Sequence, residues 1–385
     1  MKKSLRISLS PNQVAFSDAI VRRFLFCLCL CSLFPAALFS QQRTPSRTPH
    51  KGPVFATFDA PGAMWTFANG VNPKNTVVGW YVDANYAGHG YLRTVDGTIT
   101  TFDAPDAGTN TQQGTYPSAI NNAGVITGFY VDKTGVIHGF ERAASSTITT
   151  FDVPGASSTS GSSIDTAGDI AGYYMDGSGV FHGFIRSHKK GVITTFDVPG
   201  EGEASGEGTF ISVINATRAT TGQYRDAGNC NHGFVRVASG TITTFDAPGA
   251  GTGQYQGTSG SAINAAGDIA GTYVDANTAN HGFVRTVAGI LTAFDAQGAG
   301  SALGQGTSAW AINKTGVVAG WYIDASNVQH GFFRDPIGDI TTFDVPGAGT
   351  GTYQGTVPEA INNAGAIAGY YADPSGVYHG FLRTK

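Results

Sequence analysis

The chain has 385 residues, of which 54 are glycine, 13 % are charged, 41 % are hydrophobic and 11 % are aromatic. So large an apolar fraction disfavours a disordered or fibrous chain, and so much glycine predicts a fold with many turns. Without residues 1–40, the chain keeps 18 basic and 26 acidic residues and a net charge of −8. This charge disfavours nucleic acid and anionic membranes as partners, because both bind basic surfaces.

Residues 1–40 are predicted to be a cleaved signal peptide. Arg22 and Arg23 precede an apolar run over 24–39 that polar residues follow, which is the order of an export signal. A retained anchor and a lipoprotein are the alternatives, although the three cysteines of this leader lack the small residues that usually precede a lipidated cysteine. Residues 41–52 are predicted to be a linker. We therefore expect an exported, extracellular or periplasmic protein that is not inserted in a membrane after cleavage.

Two short motifs recur along the rest of the chain. The first is Phe-Asp, usually within Thr-Phe-Asp-Ala/Val-Pro-Gly, whose phenylalanines follow one another at 44, 49, 45, 49, 49 and 49 residues. The second is His-Gly-Phe or His-Gly-Tyr, which holds seven of the nine histidines, each followed four positions later by an arginine. Repetition at a fixed spacing indicates seven tandem copies of one structural unit.

One copy, residues 258–297, shows what a unit contains. Short apolar and β-branched segments at 261–264, 268–275, 281–285 and 290–295 are separated by Gly, Asn and Asp turns. This pattern predicts a four-stranded antiparallel meander, and the chain after the linker lacks the periodicity and caps of helices.

Residues 53–385 are therefore predicted to form an all-β, seven-bladed β-propeller of four-stranded antiparallel blades. Segment 53–59 is a fourth strand with no third strand before it, and segment 379–385 is a third strand with no fourth after it. We expect the N-terminal strand to close the last blade. A β-solenoid and an eight-unit variant are the alternatives.

The pattern Ile-Asn-x-x-Gly-x-Ile-x-Gly, then a tyrosine–aspartate pair, then His-Gly-Phe, resembles the HAF-type extracellular repeats of bacterial secreted proteins. The resemblance covers essentially all of 53–385. The chain departs from that pattern, because Gly replaces the middle Ala and Phe-Asp-x-Pro-Gly replaces the segment after the fourth strand. The resemblance implies an exported repeat protein, and it brings no catalytic residues.

The repeated histidines are predicted to be structural. If the third and fourth strands form a hairpin centred near Asp96, each histidine lies opposite an aspartate and the next glycine lies opposite a phenylalanine, as with Gly90 and Phe102. The expected pairs are His89 with Asp103, His138 with Asp152, His182 with Asp197, His232 with Asp246, His281 with Asp295, His330 with Asp344, and His379 with Asp59. Catalysis and metal binding are the alternatives for these residues.

A second aspartate follows a tyrosine in each unit and opens the loop before His-Gly-Phe. Its short side chain is expected to bond the backbone of the turn. Calcium is the alternative, since carboxylates and carbonyls are its ligands, although each loop offers one carboxylate. We expect no cofactor. These aspartates are Asp83, Asp132, Asp176, Asp226, Asp275, Asp324 and Asp373.

Function is expected where the units differ and where loops are long. The loops between units carry amide, hydroxyl and aromatic groups that suit carbohydrate, and soluble spacers are the alternative. The candidate ligand-binding residues are Tyr116, Tyr255, Gln256, Tyr353 and Gln354.

The fourth unit departs most from the others. The loop before it contains three glutamates, Glu201, Glu203 and Glu207. We interpret this loop as solvated, because the sequence shows no residue that would orient these carboxylates.

Two hypotheses for the function remain. The favoured one is a secreted, non-catalytic binding or scaffold module that uses one loop-rich face, with a glycan or cell-surface component as partner, acting as a monomer. The alternative is a secreted polysaccharide hydrolase or lyase with its site at the central channel, which would need two or more non-repeated ionisable groups at the channel mouth.

Overall fold

The computed structural model describes residues 52–385. The predicted signal peptide and nearly all of the predicted linker lie outside these residues. Over this range the chain forms twenty-eight β-strands and no helix. No segment of 52–385 is therefore a helix with the length and apolar character needed to span a bilayer.

The strands follow one another as a first single strand and then as repeated groups. The first groups are β1 (Val54–Phe58); β2 (Trp65–Val71), β3 (Val77–Val82), β4 (Gly88–Arg93) and β5 (Ile99–Phe102); β6 (Gly114–Ile120), β7 (Ile126–Val131), β8 (Ile137–Arg142) and β9 (Ile148–Phe151); β10 (Ser158–Ile164), β11 (Ile170–Met175), β12 (Phe181–Arg186) and β13 (Ile193–Phe196). The later groups are β14 (Gly208–Ile214), β15 (Thr220–Arg225), β16 (Asn231–Arg236) and β17 (Ile242–Phe245); β18 (Gly257–Ile263), β19 (Ile269–Val274), β20 (Asn280–Arg285) and β21 (Leu291–Phe294); β22 (Gly306–Ile312), β23 (Val318–Ile323), β24 (Gln329–Arg334) and β25 (Ile340–Phe343); β26 (Gly355–Ile361), β27 (Ile367–Ala372) and β28 (Tyr378–Thr384).

Each group, called a unit below and numbered from β2–β5, is an antiparallel meander. In the fifth unit, β18 pairs with β19 through a bulge that skips Ser261, and β19 pairs with β20 from Ile269 onward. The hairpin of β20 and β21 sets Gly282 opposite Phe294, and in the first unit Gly90 lies opposite Phe102. The latter register is the one expected from the sequence.

Short polar side chains close the turns inside each unit. In the fifth unit, the Asn264 carboxamide oxygen accepts from the backbone N–H of Asp268 at 3.0 Å. In the next turn, a carboxylate oxygen of Asp275 accepts from Asn277 N and Ala279 N, both at 2.9 Å. A side-chain acceptor that bonds the backbone two and four positions later holds a tight turn. The second aspartate series therefore caps the loops before the histidines.

The core lies where neighbouring units pack together. The aromatic residue of each His-Gly-Phe/Tyr motif is fully buried, as with Phe140. Its ring meets Phe102 of the preceding unit edge to face at 6.3 Å, and the Arg142 guanidinium lies over Phe102 at 4.7 Å. The edge-to-face contact and the cation–π contact both stabilise the Phe102 ring, in addition to the effect of removing it from water. The recurring arginine thus fastens one unit to the next.

Backbone pairing between units is present at five junctions. There, the glycine that begins the first strand of a unit, called the inner strand below, pairs in parallel with the third strand of the preceding unit, as Gly257 pairs with Asn231. The strand pairs joined in this way are β4–β6, β12–β14, β16–β18, β20–β22 and β24–β26. The described chain therefore has two hydrogen-bonded sheets, one of which is formed by β2–β9.

Residues near the two ends of the repeat region are in contact. His379 of β28 hydrogen-bonds Asp59, which follows β1, at 2.8 Å. A methyl group added to Gly380 would meet the Phe58 ring at 2.5 Å. Phe67 of the first unit meets Tyr370 of the last unit edge to face at 5.0 Å. Strand β1 thus makes with β28 the contacts that a fourth strand makes elsewhere.

Candidate ligand-binding face

The loops between units and the loops between second and third strands meet at their tips. At five junctions the tip residue of an inter-unit loop donates its backbone N–H to the carbonyl of the tip residue of the preceding loop, as Tyr255 does to Asn229 at 2.8 Å. Both residues of each such pair have a positive φ. We call these residues the tip pairs. They are Tyr86–Gln112, Gly179–Gly206, Asn229–Tyr255, Thr278–Gly304 and Asn327–Tyr353.

Three tip pairs combine a tyrosine with an amide side chain. Tyr86, Tyr255 and Tyr353 have φ values of 62°, 61° and 59°. A bulky residue in this left-handed region costs about 1–3 kcal/mol, and such strain is commonly kept at functional sites. Tyr86 and Tyr255 are 44 % and 43 % exposed. The fold thus presents aromatic rings to solvent at positions where other units place glycine, asparagine or threonine.

Packing holds two of these rings in place. Trp65 meets Tyr86 edge to face at 5.8 Å. Trp65 is half-buried and begins the inner strand of its unit, a position that is glycine in five other units. The Arg225 guanidinium lies 5.1 Å from the Tyr255 ring. An ordered ring loses less conformational entropy when a ligand binds. Trp65 and Tyr86 were missed at the sequence level, although their departure from the repeat marks them.

The structure places two of the five predicted ligand residues at loop tips and the other three elsewhere. Tyr255 and Tyr353 lie at tip pairs. Tyr116 is 5 % exposed in β6, and its hydroxyl donates to the Gln113 carbonyl at 3.1 Å. Gln256 accepts from Gly253 N at 2.8 Å and donates to the Ala276 carbonyl at 3.2 Å.

Gln354 makes the equivalent two bonds, with Gly351 N at 2.9 Å and the Pro374 carbonyl at 3.0 Å. Both glutamines therefore fasten the inter-unit loop to the neighbouring loop. Their amides are engaged with the backbone, whereas the tyrosines one position earlier form the tips.

All seven expected histidine–aspartate pairs are hydrogen-bonded. In the first unit, Nδ1 of His89 lies 3.0 Å from both carboxylate oxygens of Asp103, and Nε2 lies 3.6 Å from Asp83. The ring stacks on Tyr81 at 5.0 Å. The hydrogen bond to Asp103 raises the pKa of His89, and the equivalent bond to Asp344 raises the pKa of His330. Each imidazole is thus fixed between two carboxylates.

The pair in the third unit has an additional neighbour. Potential ligand atoms of His182, Asp197 and Glu201 all lie within 4.8 Å of one another. Burial raises the pKa of Glu201 to about 7. The hydroxyl of Thr209 donates to Glu201. One nitrogen and two carboxylates at this spacing are a possible metal-ligand set.

The acidic loop before the fourth unit is solvated only in part. Glu203 is exposed, but Glu207 is 4 % exposed and accepts from Ala204 N at 2.8 Å. Glu207 thus takes the loop-fastening place of the glutamines. Glu201 is half-buried beside His182. The sequence-level interpretation of these glutamates as simply solvated is therefore wrong for two of the three.

Acidic side chains are rare at the bulge positions of the inner strands. Register skips one residue in each inner strand, and the seven skipped residues include a single ionisable group, Glu359. The skipped residues are Asn69, Ser118, Ser162, Ser212, Ser261, Trp310 and Glu359. These positions therefore do not by themselves supply the two or more ionisable groups that the hydrolase or lyase hypothesis needs.

No protein-family model and no curated protein matches the sequence. Among solved structures, the BP39L lectin from Burkholderia pseudomallei matches 83 % of this chain and 95 % of its own, with a TM-score of 0.53 and 10 % identity. A puromycin hydrolase matches 84 % of this chain and 53 % of its own, with a TM-score of 0.51 and 12 % identity. These two matches show a shared fold alone.

A third match is the Aleuria aurantia lectin, described as a six-bladed β-propeller with a novel fucose recognition mode. It covers 67 % of this chain and 86 % of its own, with a TM-score of 0.37 and 11 % identity. The structural neighbours of this all-β chain include lectins.

Proposed function

We propose that this protein is a non-catalytic carbohydrate-binding module whose tip-pair tyrosines contact sugars. The observation that carries the proposal is the set of three tip pairs in which a left-handed tyrosine adjoins an amide side chain. An aromatic face covers the apolar C–H face of a sugar, and an amide donates to and accepts from its hydroxyls. The shared fold with a lectin supports this assignment.

The same proposal includes the architecture that presents these sites. We infer a closed ring of seven four-stranded blades, in which β1 completes the last blade. The contacts of Asp59 with His379 and of Phe67 with Tyr370 support the closure. In such a ring all tip pairs emerge on one face, so several weak sites can bind one multivalent glycan with avidity. The export and the HAF-type membership expected from the sequence belong to this proposal.

A glycan array probed with the untagged protein tests the binding function. We expect multivalent glycans to be bound, and we expect Tyr86→Asn, Tyr255→Gly and Tyr353→Gly each to weaken binding by about three- to tenfold, as loss of one aromatic contact would. Each replacement is a residue that another unit uses at the same left-handed position, so the backbone is preserved.

The matched control is Thr278→Asn. Thr278 belongs to a tip pair that lacks an aromatic ring, so this variant should bind like the original protein. Absence of glycan binding, or binding that survives the triple tyrosine replacement, would overturn the proposal.

A further inference from the structure

The strongest unassigned cluster lies at the start of the loop between the third and fourth units. Nδ1 of His182 lies 2.8 Å from Oδ1 of Asp197, and the ligand atoms of these residues and Glu201 lie within 4.8 Å of one another. Zinc bonds imidazole nitrogen and carboxylate oxygen at about 2.0–2.2 Å, which places neighbouring ligand atoms about 3.3 Å apart in a tetrahedral site. We propose that His182, Asp197 and Glu201 bind a single Zn²⁺ ion.

The third ligand is present at this one junction. Glu201 takes a position that is alanine at the six equivalent places, so the other histidine–aspartate pairs lack a second carboxylate there. The equivalent alanines are Ala63, Ala107, Ala156, Ala250, Ala299 and Ala348.

The hydrogen bond of His182 also differs from those of its counterparts. In the other six pairs both carboxylate oxygens approach Nδ1, as both oxygens of Asp246 approach His232 at 3.0 Å. Asp197 bonds His182 through Oδ1. The Asp197 carboxylate is therefore turned relative to its equivalents, which suits an oxygen that must serve a metal ion rather than a second contact with the ring.

A second carboxylate lies beside the other nitrogen of the imidazole. Nε2 of His182 lies 3.7 Å from Asp176, and the ring stacks on Tyr174 at 4.9 Å. Histidine ligands of zinc commonly donate their other N–H to a carboxylate, which fixes the tautomer and makes the metal-bound nitrogen more basic. When the ion binds, Nδ1 exchanges its hydrogen bond with Asp197 for the metal, and Nε2 carries its proton on the side of Asp176.

The local charge favours a cation at the same place. Glu201 is half-buried beside a second carboxylate, and its side chain accepts from the Thr209 hydroxyl. Burial removes water from the Glu201 carboxylate, and a bound dication offsets that cost because it pairs with the negative charge.

The donor set favours zinc over calcium and magnesium. Calcium and magnesium prefer six or more oxygen ligands, whereas one imidazole with two carboxylates suits zinc. The Asp197 side chain is 52 % exposed, so water can reach the ion and complete its coordination.

Isothermal titration of chelator-stripped, untagged protein with ZnCl₂ tests the proposal. We expect one ion per chain, and we expect Glu201→Ala to weaken binding at least tenfold. Because alanine is the residue of the six equivalent positions, this variant should fold, and a circular dichroism melt in chelator verifies that. Glu201→Gln, which keeps the size and loses the charge, should also bind more weakly.

A gain-of-site variant provides the sharper control. Ala250→Glu places the missing carboxylate beside His232 and Asp246, and it should raise the stoichiometry from one ion to two. No binding at micromolar zinc would overturn the proposal. Binding at several sites that Glu201→Ala leaves unchanged would overturn it too, because the ions would then belong to the repeated histidines.

Discussion

Asn362 donates its side-chain amide to the backbone carbonyl of Asn72 at 2.9 Å, which joins residues 290 positions apart in the chain. The same bond links successive units, since an asparagine at the end of an inner strand donates to the carbonyl at the equivalent position of the next unit. The other bonds of this series are Asn121 to Asp165 at 3.1 Å, Asn215 to Asn264 at 2.7 Å, Asn264 to Asn313 at 3.4 Å and Asn313 to Asn362 at 3.3 Å.

Asp165 interrupts this series, and we predict that Asp165→Asn stabilises the protein at neutral pH. Asp165 is 3 % exposed, and its Oδ2, the atom that replaces the amide nitrogen, has no hydrogen-bond partner. An unpaired buried polar group costs about 1–3 kcal/mol. We expect the amide to donate to the Asn215 carbonyl and to raise the free energy of unfolding in urea by about that amount.

The gain from Asp165→Asn should depend on pH. Burial, with a smaller contribution from the neighbouring charge of Asp169, raises the pKa of Asp165. A carboxyl whose folded pKa is raised destabilises the protein as pH rises from its unfolded pKa, near 3.9, to its folded pKa. The free energy of unfolding of the variant should therefore exceed that of the original protein most at pH 7 and least near pH 4. A gain that is equal at both pH values would contradict this account.

The reverse exchange, Asn362→Asp, should destabilise the protein at pH 7 by about 1–3 kcal/mol. Its Oδ1 would still accept from Ala364 N and Ala366 N, now at 2.9 and 3.0 Å, so the turn persists. The donor to Asn72 would be lost. Urea unfolding measures the effect, and Asp165→Asn serves as the opposite control. An unchanged midpoint would show that this bond adds nothing to stability.

Asp103→Asn should lower the pKa of His89, because the hydrogen bond to Asp103 is the largest cause of its elevation. A raised histidine pKa stabilises the folded protein below about pH 6.5, and this contribution is lost as pH rises through the folded pKa. The variant should thus lose stability at pH 5.5 more than at pH 9. Asp103 is about half exposed, so solvent screening keeps the loss within ~1 kcal/mol.

Histidine titration followed by NMR measures this change directly. His330, paired with Asp344 in another unit, is the internal reference and should keep its midpoint in the Asp103 variant. A His89 midpoint that does not fall would contradict the assigned role of the aspartate.

Gly222→Ala should destabilise the protein by about 3 kcal/mol, at the upper end of the range for overpacked sites. A β-carbon at Gly222 would lie 2.0 Å from the Phe210 carbonyl oxygen, a backbone atom that cannot rotate away. Gly177 is the matched control, because a β-carbon there meets nothing within 4 Å. Thermal unfolding should show a lower melting temperature for Gly222→Ala and little change for Gly177→Ala.

Repetition made much of the fold predictable. The recurrence of the histidine and phenylalanine motifs sets the hairpin register, so the contact of Gly90 with Phe102 and the pairing of His89 with Asp103 could be deduced from spacing. The turn-capping role of Asp275 followed from its chemistry, because a short carboxylate at the start of a tight turn bonds the next backbone N–H groups.

The site was less predictable, because it depends on where loops end and which way they turn. Tyr116 was expected at the loop face, but β6 begins at Gly114 and takes its ring into the packing between units. Gln256 has the chemistry of a sugar ligand, and only the folded loop shows that its amide is committed to Ala276. The approach of Glu201 to His182 joins residues from different segments, which composition does not reveal.

The two inter-unit connections that lack the parallel glycine bridge have a consequence for how the molecule is assembled. They lead into β2 and β10, whose first residues are Trp65 and Ser158 rather than glycine. The parallel pairing between units is interrupted at these two seams, where side-chain bonds to backbone carbonyls, from Asn121 to Asp165 and from Asn362 to Asn72, join the neighbouring units. Cleaving the polypeptide between β9 and β10 would give one fragment with β1–β9 and one with β10–β28, which makes this seam a natural place to split the protein for fragment complementation.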